Sequence, residues 1–225
     1  MPEPTIAVFT HTGLIPARYI KACVTAAQVA LTRDFAPHWG GAQLQYVAPG
    51  GVIQPDWWQA VFFDHSDQAN ALGYHDVTDT GKPLAKIFVA DCIADKVNWN
   101  VTFTHEVWEM LVDPQIDQTV DYNGWQYAKE VADAPEDDHY GHRVNGHLMS
   151  NAVTPAWFVP AGQAPFTMYP CAAITAPFTL APGGYIGRRQ LPDGQWEQEF
   201  AEGSPVNARQ IKRISSRTMR RFAKP

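Results

Sequence analysis

The first part of the chain combines one apolar run with one long helical pattern. Residues 5–11 form an apolar run that Gly13 and Pro16 close, and this predicts a buried strand. Over residues 16–35, apolar side chains recur at three- and four-residue intervals. This period predicts one amphipathic helix, which Pro37 is expected to stop. The chain is therefore expected to begin with a strand followed by a long helix.

Further strands are predicted before the middle of the chain. Apolar runs at 43–49 and 56–65 predict the second and third strands. From Leu72 the pattern predicts a strand, a turn at Thr80–Pro83 and another strand at Lys86–Cys92. These last two strands form a predicted hairpin.

A second helix and an irregular segment follow the hairpin. The apolar period from 98 to 112 predicts a helix that Pro114 ends. The next segment is acidic and rich in turn residues, with a short helix or strand predicted near 127–133. From residue 148 onward, prolines and aromatic residues separate short β-like runs. Together these elements predict an α+β fold.

The chain shows neither an internal repeat nor a linker rich in Gly or Ser. Its 225 residues suit one domain with a sizeable core. We predict a core over 1–160, a β-rich extension over 161–206 that packs on it, and a tail over 207–225. Hydrophobic residues make up 45% and charged residues 18% of the chain, which is typical of a globular protein and not of a disordered one.

Composition also indicates the cellular location of the protein. No apolar run reaches the roughly 20 residues needed to cross a bilayer. Residues 1–13 lack the basic and apolar regions of a signal peptide. Cys23, Cys92 and Cys171 are widely spaced and odd in number, which favours reduced thiols. We therefore expect a cytoplasmic protein without a membrane partner.

Charge is unevenly distributed along the chain. The formal net charge of −6 argues against general affinity for nucleic acid. Residues 207–225 nevertheless hold seven of the seventeen basic residues and no acidic one. Such a tail is typical of a solvated terminal helix, and it is also suited to docking on an acidic partner or on nucleic acid.

Most candidate metal ligands and the candidate general base lie in the second predicted helix, in the stretch T-H-E-V-W-E-M-L-V-D-P at 104–114. Spacings of three and four residues place His105, Glu109 and Asp113 on one helical face. Zinc peptidases with the motif H-E-x-x-H use this geometry for two metal ligands, with a general base next to the first. Here Glu109 replaces the second His, and Glu106 is the candidate base that takes a proton from a metal-bound water.

A second acidic segment supplies candidates for the remaining ligand. Glu130 follows Glu109 by twenty-one residues, and Asp133 follows three residues later. In zinc peptidases whose third ligand is a Glu from a second helix, that Glu lies at a comparable distance, and an Asp within the next turn orients the first His. We predict a metal held by His105, Glu109 and Glu130, with Asp133 and Asp113 as supporting carboxylates. The spacing leaves open the alternative in which Asp133 is the ligand and Glu130 the support.

These motifs resemble those of a zincin-like family of bacterial and bacteriophage proteins. The family pattern is [ST]-H-E-x-x-E-x-x-x-D-P, then E-V-x-D-x-x-E-D, then a segment that ends in P-x-W-F. The matching stretches here begin at Thr104 and Glu130 and lie at 146–160. The resemblance covers most of residues 5–160, and a more distant one extends to plant exordium-like proteins.

The resemblance implies a zincin-like, metalloprotease-type domain with a mixed β-sheet, a long N-terminal helix, the HExxE helix and a β-rich C-terminal part. It implies Zn²⁺ as the cofactor, with another divalent cation such as Ca²⁺ as the alternative. The implied activity is zinc-dependent hydrolysis of a protein or peptide substrate. An extended peptide would pair with the predicted strand at Lys86–Cys92.

Two other classes of function stay open. One is a catalytically silent phage or prophage component, in the cytoplasm or the virion, whose metal or carboxylate cluster is structural and which binds other virion proteins. The other is a carbohydrate- or small-ligand-binding protein that uses an aromatic cleft, because the chain has eight Trp residues.

A group of three histidines forms a competing constellation. His139, His142 and His147 lie within nine residues of one another, next to several acidic residues. Their spacing could serve a separate metal site. His139 and His142 are alternatively candidates for contacting the substrate or stabilising a transition-state charge near the main metal.

Overall fold

The centre of the fold is a five-stranded mixed sheet, seen in a computed structural model that describes residues 3–68 and 71–201. The strand order is β2-β1-β3-β5-β4. The first four of these pair in parallel, and β4 runs antiparallel to β5. The predicted α+β class and the mixed sheet are confirmed. The strand bounds are β1 (Thr5–Thr10), β2 (Gln43–Tyr46), β3 (Trp58–Phe63), β4 (Gly73–Val77) and β5 (Pro83–Phe88).

The strand that was predicted at Lys86–Cys92 ends before the apolar run of the sequence does. β5 ends at Phe88, and the chain turns into a short helix, α3 (Val89–Ala94). The N–H of Ala90 donates to the carbonyl oxygen of Asp64 at the end of β3, which draws the chain out of the sheet. β5 is also internal, between β3 and β4. The prediction that an extended peptide pairs with this strand is therefore wrong, and the edge strand on this side is β4.

The long N-terminal helix is present but ends later than predicted. It consists of α1 (Ala17–Ala30), a π-helical turn (Leu31–Phe35) and a short α2 (Ala36–Trp39). Pro37 does not stop the helix because it lies in the first turn of α2, where a missing N–H removes no helical hydrogen bond. The helix ends instead at Gly40, whose φ of 93° is favourable only for glycine. The buried face of α1 follows the predicted spacing: Ile20, Cys23, Val24, Ala26, Ala27 and Ala30.

The second half of the chain forms an antiparallel sheet and a small hairpin. The sheet order is β11-β10-β7-β6, so the C-terminal strands complete a sheet that starts in the middle of the chain. One hydrophobic cluster contains buried residues from Ile6 to Ile186. The predicted tail lies outside the described residues. The strand bounds are β6 (Thr119–Tyr122), β7 (Trp125–Ala128), β8 (His142–Val144), β9 (His147–Met149), β10 (Tyr185–Gln190) and β11 (Trp196–Phe200).

The motif helix α4 (Trp99–Val112) is the most enclosed element of the fold. Asn98 caps its start, where the side chain accepts a hydrogen bond from the N–H of Asn100 at 3.1 Å. The helix ends two residues before Pro114, as predicted. Every residue from 100 to 110 is buried, because α4 packs against β4, β5, α3 and β9. Its polar side chains therefore point into protein and not into solvent. Among the described residues, no helix is long and apolar enough to cross a membrane.

Candidate metal centre

Six titratable side chains converge where α4 faces β4 and the loop that follows β7. Two are imidazoles and four are carboxylates, and none is more than 2% exposed. Charged groups are rarely buried to this extent unless they are paired or bind a metal. The six residues are His75, His105, Glu106, Glu109, Glu130 and Asp133.

The first group within this cluster is built around His105. Its Nε2 lies 3.3 Å from Oε1 of Glu109 and 3.2 Å from Oδ1 of Asp133. One ligand atom from each of the three residues lies within 4.8 Å of the other two. Ligands bound tetrahedrally to Zn²⁺ at 2.0–2.1 Å are about 3.3–3.4 Å apart, so this spacing suits a single ion of that size. The alternative with Asp133 as the third donor is the one that the geometry favours.

The second group is built around His75 on β4, a residue that was not predicted from the sequence. Its Nδ1 lies 3.7 Å from Oε2 of Glu106 and 3.6 Å from Oε2 of Glu109, and its Nε2 lies 3.7 Å from Oε2 of Glu130. His75, Glu106 and Glu109 form a second set of converging donors. The structure thus places Glu130 against His75. The one feature of the sequence that could have indicated His75 is its place in the predicted hairpin that precedes the motif helix.

β4 approaches α4 closely because Gly73 has no side chain. A Cβ at Gly73 would lie only 2.7 Å from Cγ2 of Thr102 and 2.8 Å from Oε1 of Glu106. Side chains two residues apart on a strand share a face, so His75 points to the same side as this contact. The close approach therefore positions His75 over Glu106 and Glu109.

Glu130 and Asp133 come from a buried loop and not from a second helix. β7 ends at Ala128, and residues 131–135 form turns. A helix does not form there because the carbonyl groups of this segment accept hydrogen bonds from distant parts of the chain. The N–H of Val153 donates to the carbonyl oxygen of Val131 at 2.8 Å. The N–H of Ala181 donates to the carbonyl oxygen of Ala134 at 3.0 Å, and the N–H of Tyr185 donates to that of Asp133 at 3.1 Å.

Neighbouring charges in the cluster shift the pKa values of His75, His105 and Asp133. Burial lowers the pKa of His75, but the negative charges of Glu130, Glu106 and Glu109 outweigh this effect and raise the pKa to about 10. The pKa of His105 is likewise raised, because Glu109 and Asp133 outweigh the effect of its burial. Burial and the charge of Glu109 raise the pKa of Asp133. Without a metal, protons therefore compensate part of the negative charge.

Several buried polar atoms of the cluster have no hydrogen-bond partner. Among the described residues these include both ring nitrogens of His75, Nδ1 of His105 and Oε2 of Glu106. A buried polar atom without a partner costs about 1–3 kcal/mol. A bound cation would satisfy lone pairs on these groups, so the arrangement is chemically suited to a divalent metal ion.

Asp113, which was predicted as a supporting carboxylate, is fully buried and forms hydrogen bonds with the loop that follows α4. Its carboxylate accepts hydrogen bonds from the N–H groups of Asp117 at 2.9 Å and Gln118 at 3.1 Å. These bonds satisfy backbone donors just beyond the end of the helix. We therefore assign Asp113 a role in shaping this loop.

The histidines of the competing constellation lie in or near the β8–β9 hairpin. His139 and His142 are exposed, and the ring of His142 stacks on Tyr169 with centroids 4.4 Å apart. In the part of the chain that the structure describes, neither of these two nor His147 belongs to a set of converging metal donors. The separate metal site is therefore not formed by the described residues.

Comparison of the chain with protein-family models, curated proteins and solved structures finds no match. The zincin-like resemblance therefore stays a prediction. The His105 and His75 groups, which converge inside the fold, indicate a metal centre.

Proposed function

We propose that this protein is a metal-dependent hydrolase whose substrates are peptides or proteins. The observation that carries the proposal is the convergence of His105, Glu109 and Asp133 on one point of the protein interior. Imidazole nitrogen and carboxylate oxygen are ordinary zinc ligands, and three protein ligands leave a position for water. Zn²⁺ is therefore the proposed ion, although the carboxylates also suit Mn²⁺ or Ca²⁺.

The proposed mechanism assigns separate tasks to the side chains. A divalent ion at this site would lower the pKa of a bound water and polarise a substrate carbonyl. Glu106 is the proton acceptor, because it follows His105 on α4 and its Oε2 has no hydrogen-bond partner. Glu109 and Asp133 hold two negative charges beside the ion, which makes the water less acidic than two imidazoles would. We therefore expect activity to increase above neutral pH.

The position of β4 supports a peptide as the substrate. β4 is one of the two edge strands of the mixed sheet and packs directly against α4. An extended peptide can add to the edge of a sheet through main-chain hydrogen bonds. The mixed sheet, the long N-terminal helix and the motif helix are features that the zincin resemblance also implies.

A structural metal is the second candidate, and burial of the donors favours it. None of the six side chains is more than 2% exposed. Structural zinc sites are closed, whereas a catalytic ion needs a position that a substrate can reach. In this alternative, the ion holds α4, β4 and the buried loop together in a protein-binding component of a bacterium or bacteriophage.

Metal analysis and one variant separate the two candidates. The purified full chain is analysed for bound metal and then tested on denatured protein substrates with and without a chelator. For the hydrolase we expect cleavage that the chelator abolishes and that Glu106→Gln lowers at least 100-fold. The matched control is Glu197→Gln, because Glu197 lies on β11 with its side chain 53% exposed; this variant should keep full activity.

The opposite result would favour the structural candidate. If wild type and Glu106→Gln are equally inert while metal removal unfolds the chain, the hydrolase proposal is wrong. If the purified chain binds no divalent ion at all, both candidates fail.

A further inference from the structure

We infer that the cluster holds two divalent cations, with Glu109 bridging them and with His75 and Glu106 binding the second ion. This inference rests on the proposed function, because it adds an ion to the one at His105. It assigns His75, which the proposed mechanism does not use, as a metal ligand.

The two oxygens of Glu109 face different imidazoles. Oε1 lies 3.3 Å from Nε2 of His105, and Oε2 lies 3.6 Å from Nδ1 of His75. Glu109 is also the one residue that belongs to both sets of converging donors within the described chain. A carboxylate in this position is suited to bridging two ions, which in two-metal sites lie about 3.5–4 Å apart.

The charge of the cluster also points to two ions. Its four carboxylates carry four negative charges when they are ionised, and its two imidazoles are neutral when they bind metal. One divalent ion at the His105 group would leave a net negative charge in the cluster even with His75 protonated, whereas two ions would balance the four carboxylates. Uncompensated buried charge strongly destabilises a fold. A second cation therefore completes the neutralisation that the first begins.

The surroundings of His75 suit an ion better than direct ion pairs. The side chain is fully buried, and neither ring nitrogen has a hydrogen-bond partner. Its contacts with carboxylate oxygens are 3.6–3.7 Å long, whereas charge-assisted hydrogen bonds are about 2.7–2.9 Å long. Neighbouring ligands around an octahedral ion with bonds of about 2.1–2.6 Å are about 3.0–3.7 Å apart, so an oxygen-rich site for Mn²⁺, Mg²⁺ or Ca²⁺ fits this spacing.

The contact between His75 and Glu130 completes the second site. A metal-bound imidazole commonly donates its other N–H to a carboxylate, which fixes the tautomer. With Nδ1 of His75 directed at the ion, Nε2 faces Oε2 of Glu130 at 3.7 Å. Glu130 is therefore the orienting carboxylate in this assignment, and Glu106 is a ligand of the second ion in place of the proton acceptor assigned above.

The test counts Mn²⁺ ions and detects whether they are adjacent. The full chain is stripped of metal and loaded with Mn²⁺, and the bound ions are counted by elemental analysis. Electron paramagnetic resonance then distinguishes isolated ions from a carboxylate-bridged pair, whose spins are coupled. We expect two ions for each chain and a coupled spectrum.

Two variants connect the second ion to His75. His75→Phe keeps a ring but removes the donor, so it should bind one ion and show an isolated-ion spectrum. His38→Phe is the matched control, because His38 is exposed on α2; it should bind two coupled ions. If His75→Phe does not fold, as judged by circular dichroism, the count and spectrum of the wild type decide alone.

The remaining outcomes separate this inference from the proposed function. One ion in the wild type, unchanged in His75→Phe, would overturn the inference and leave the hydrolase proposal standing. Two ions without spin coupling would also overturn it, because they would not share Glu109. A chain that binds neither Mn²⁺ nor Zn²⁺ would refute both.

Discussion

The close approach of β4 to α4 can be tested by adding a single methyl group. Gly73→Ala would place a Cβ 2.7 Å from Cγ2 of Thr102 and 2.8 Å from Oε1 of Glu106. Ordinary contacts of this kind are at least 3.4 Å long, so the strand or the two side chains must move by about 0.6–0.7 Å (the difference between these distances). Thr102 is fully buried in α4 and has little room to yield.

The expected loss of stability follows from two opposing effects. Overpacking of this size costs about 1–3 kcal/mol. Replacing Gly by Ala also removes conformational freedom from the unfolded chain, which offsets about 0.4–1 kcal/mol. We therefore expect a net decrease of roughly 1–2 kcal/mol in the free energy of unfolding. For a chain of this length, that decrease corresponds to a Tm lower by about 2–8 °C.

Thermal unfolding of the metal-free protein measures this loss, and the Mn²⁺ count measures its effect on the site. Gly13→Ala is the matched control, since no atom lies within 4 Å of its added Cβ. Thr102→Ser removes the Cγ2 methyl group, so the double variant Gly73→Ala/Thr102→Ser should recover part of the stability. Gly73→Ala should also weaken binding of the second ion, because Glu106 is displaced. If Gly73→Ala and Gly13→Ala unfold at the same temperature, the described packing of β4 on α4 is wrong.

Three further predictions concern the core, the loop and the protons of the cluster. Trp108→Ala should lower the free energy of unfolding by about 3–5 kcal/mol in denaturant titrations, because Trp108 is fully buried and stacks on Phe35; a loss below 1 kcal/mol would contradict this packing. Asp113→Ala should cost about 1–3 kcal/mol and leave the metal count unchanged, whereas loss of an ion would show that Asp113 supports the site. Metal binding near pH 7 should release protons, because the pKa of His75 is raised to about 10 and its imidazole must be neutral to bind a metal. Affinity should therefore rise with pH, and calorimetry in buffers of different ionisation enthalpy would refute this if the heat is independent of the buffer.

Features that depend on neighbouring residues could be predicted from the order of the amino acids. The extent of α4 follows from its apolar period and from Pro114 beyond its end. The meeting of His105 with Glu109 follows from a spacing of one helical turn. Trp108 lies on the same helix and is fully buried. The predicted effect of Pro37 was wrong although it concerned a local feature. A π-helical turn precedes Pro37, so the proline lies in the first turn of α2 and does not stop the helix.

Only the folded chain decides which distant residues complete the site. Asp133, and not Glu130, lies beside His105 because backbone hydrogen bonds from residues 153, 181 and 185 shape the buried loop. His75 reaches the cluster because β4 pairs with β5 and because Gly73 lets this strand lie against α4. Helical spacing acts within one turn and can be read from the chain, whereas contacts between separate segments depend on how strands pair and how closely their backbones pack.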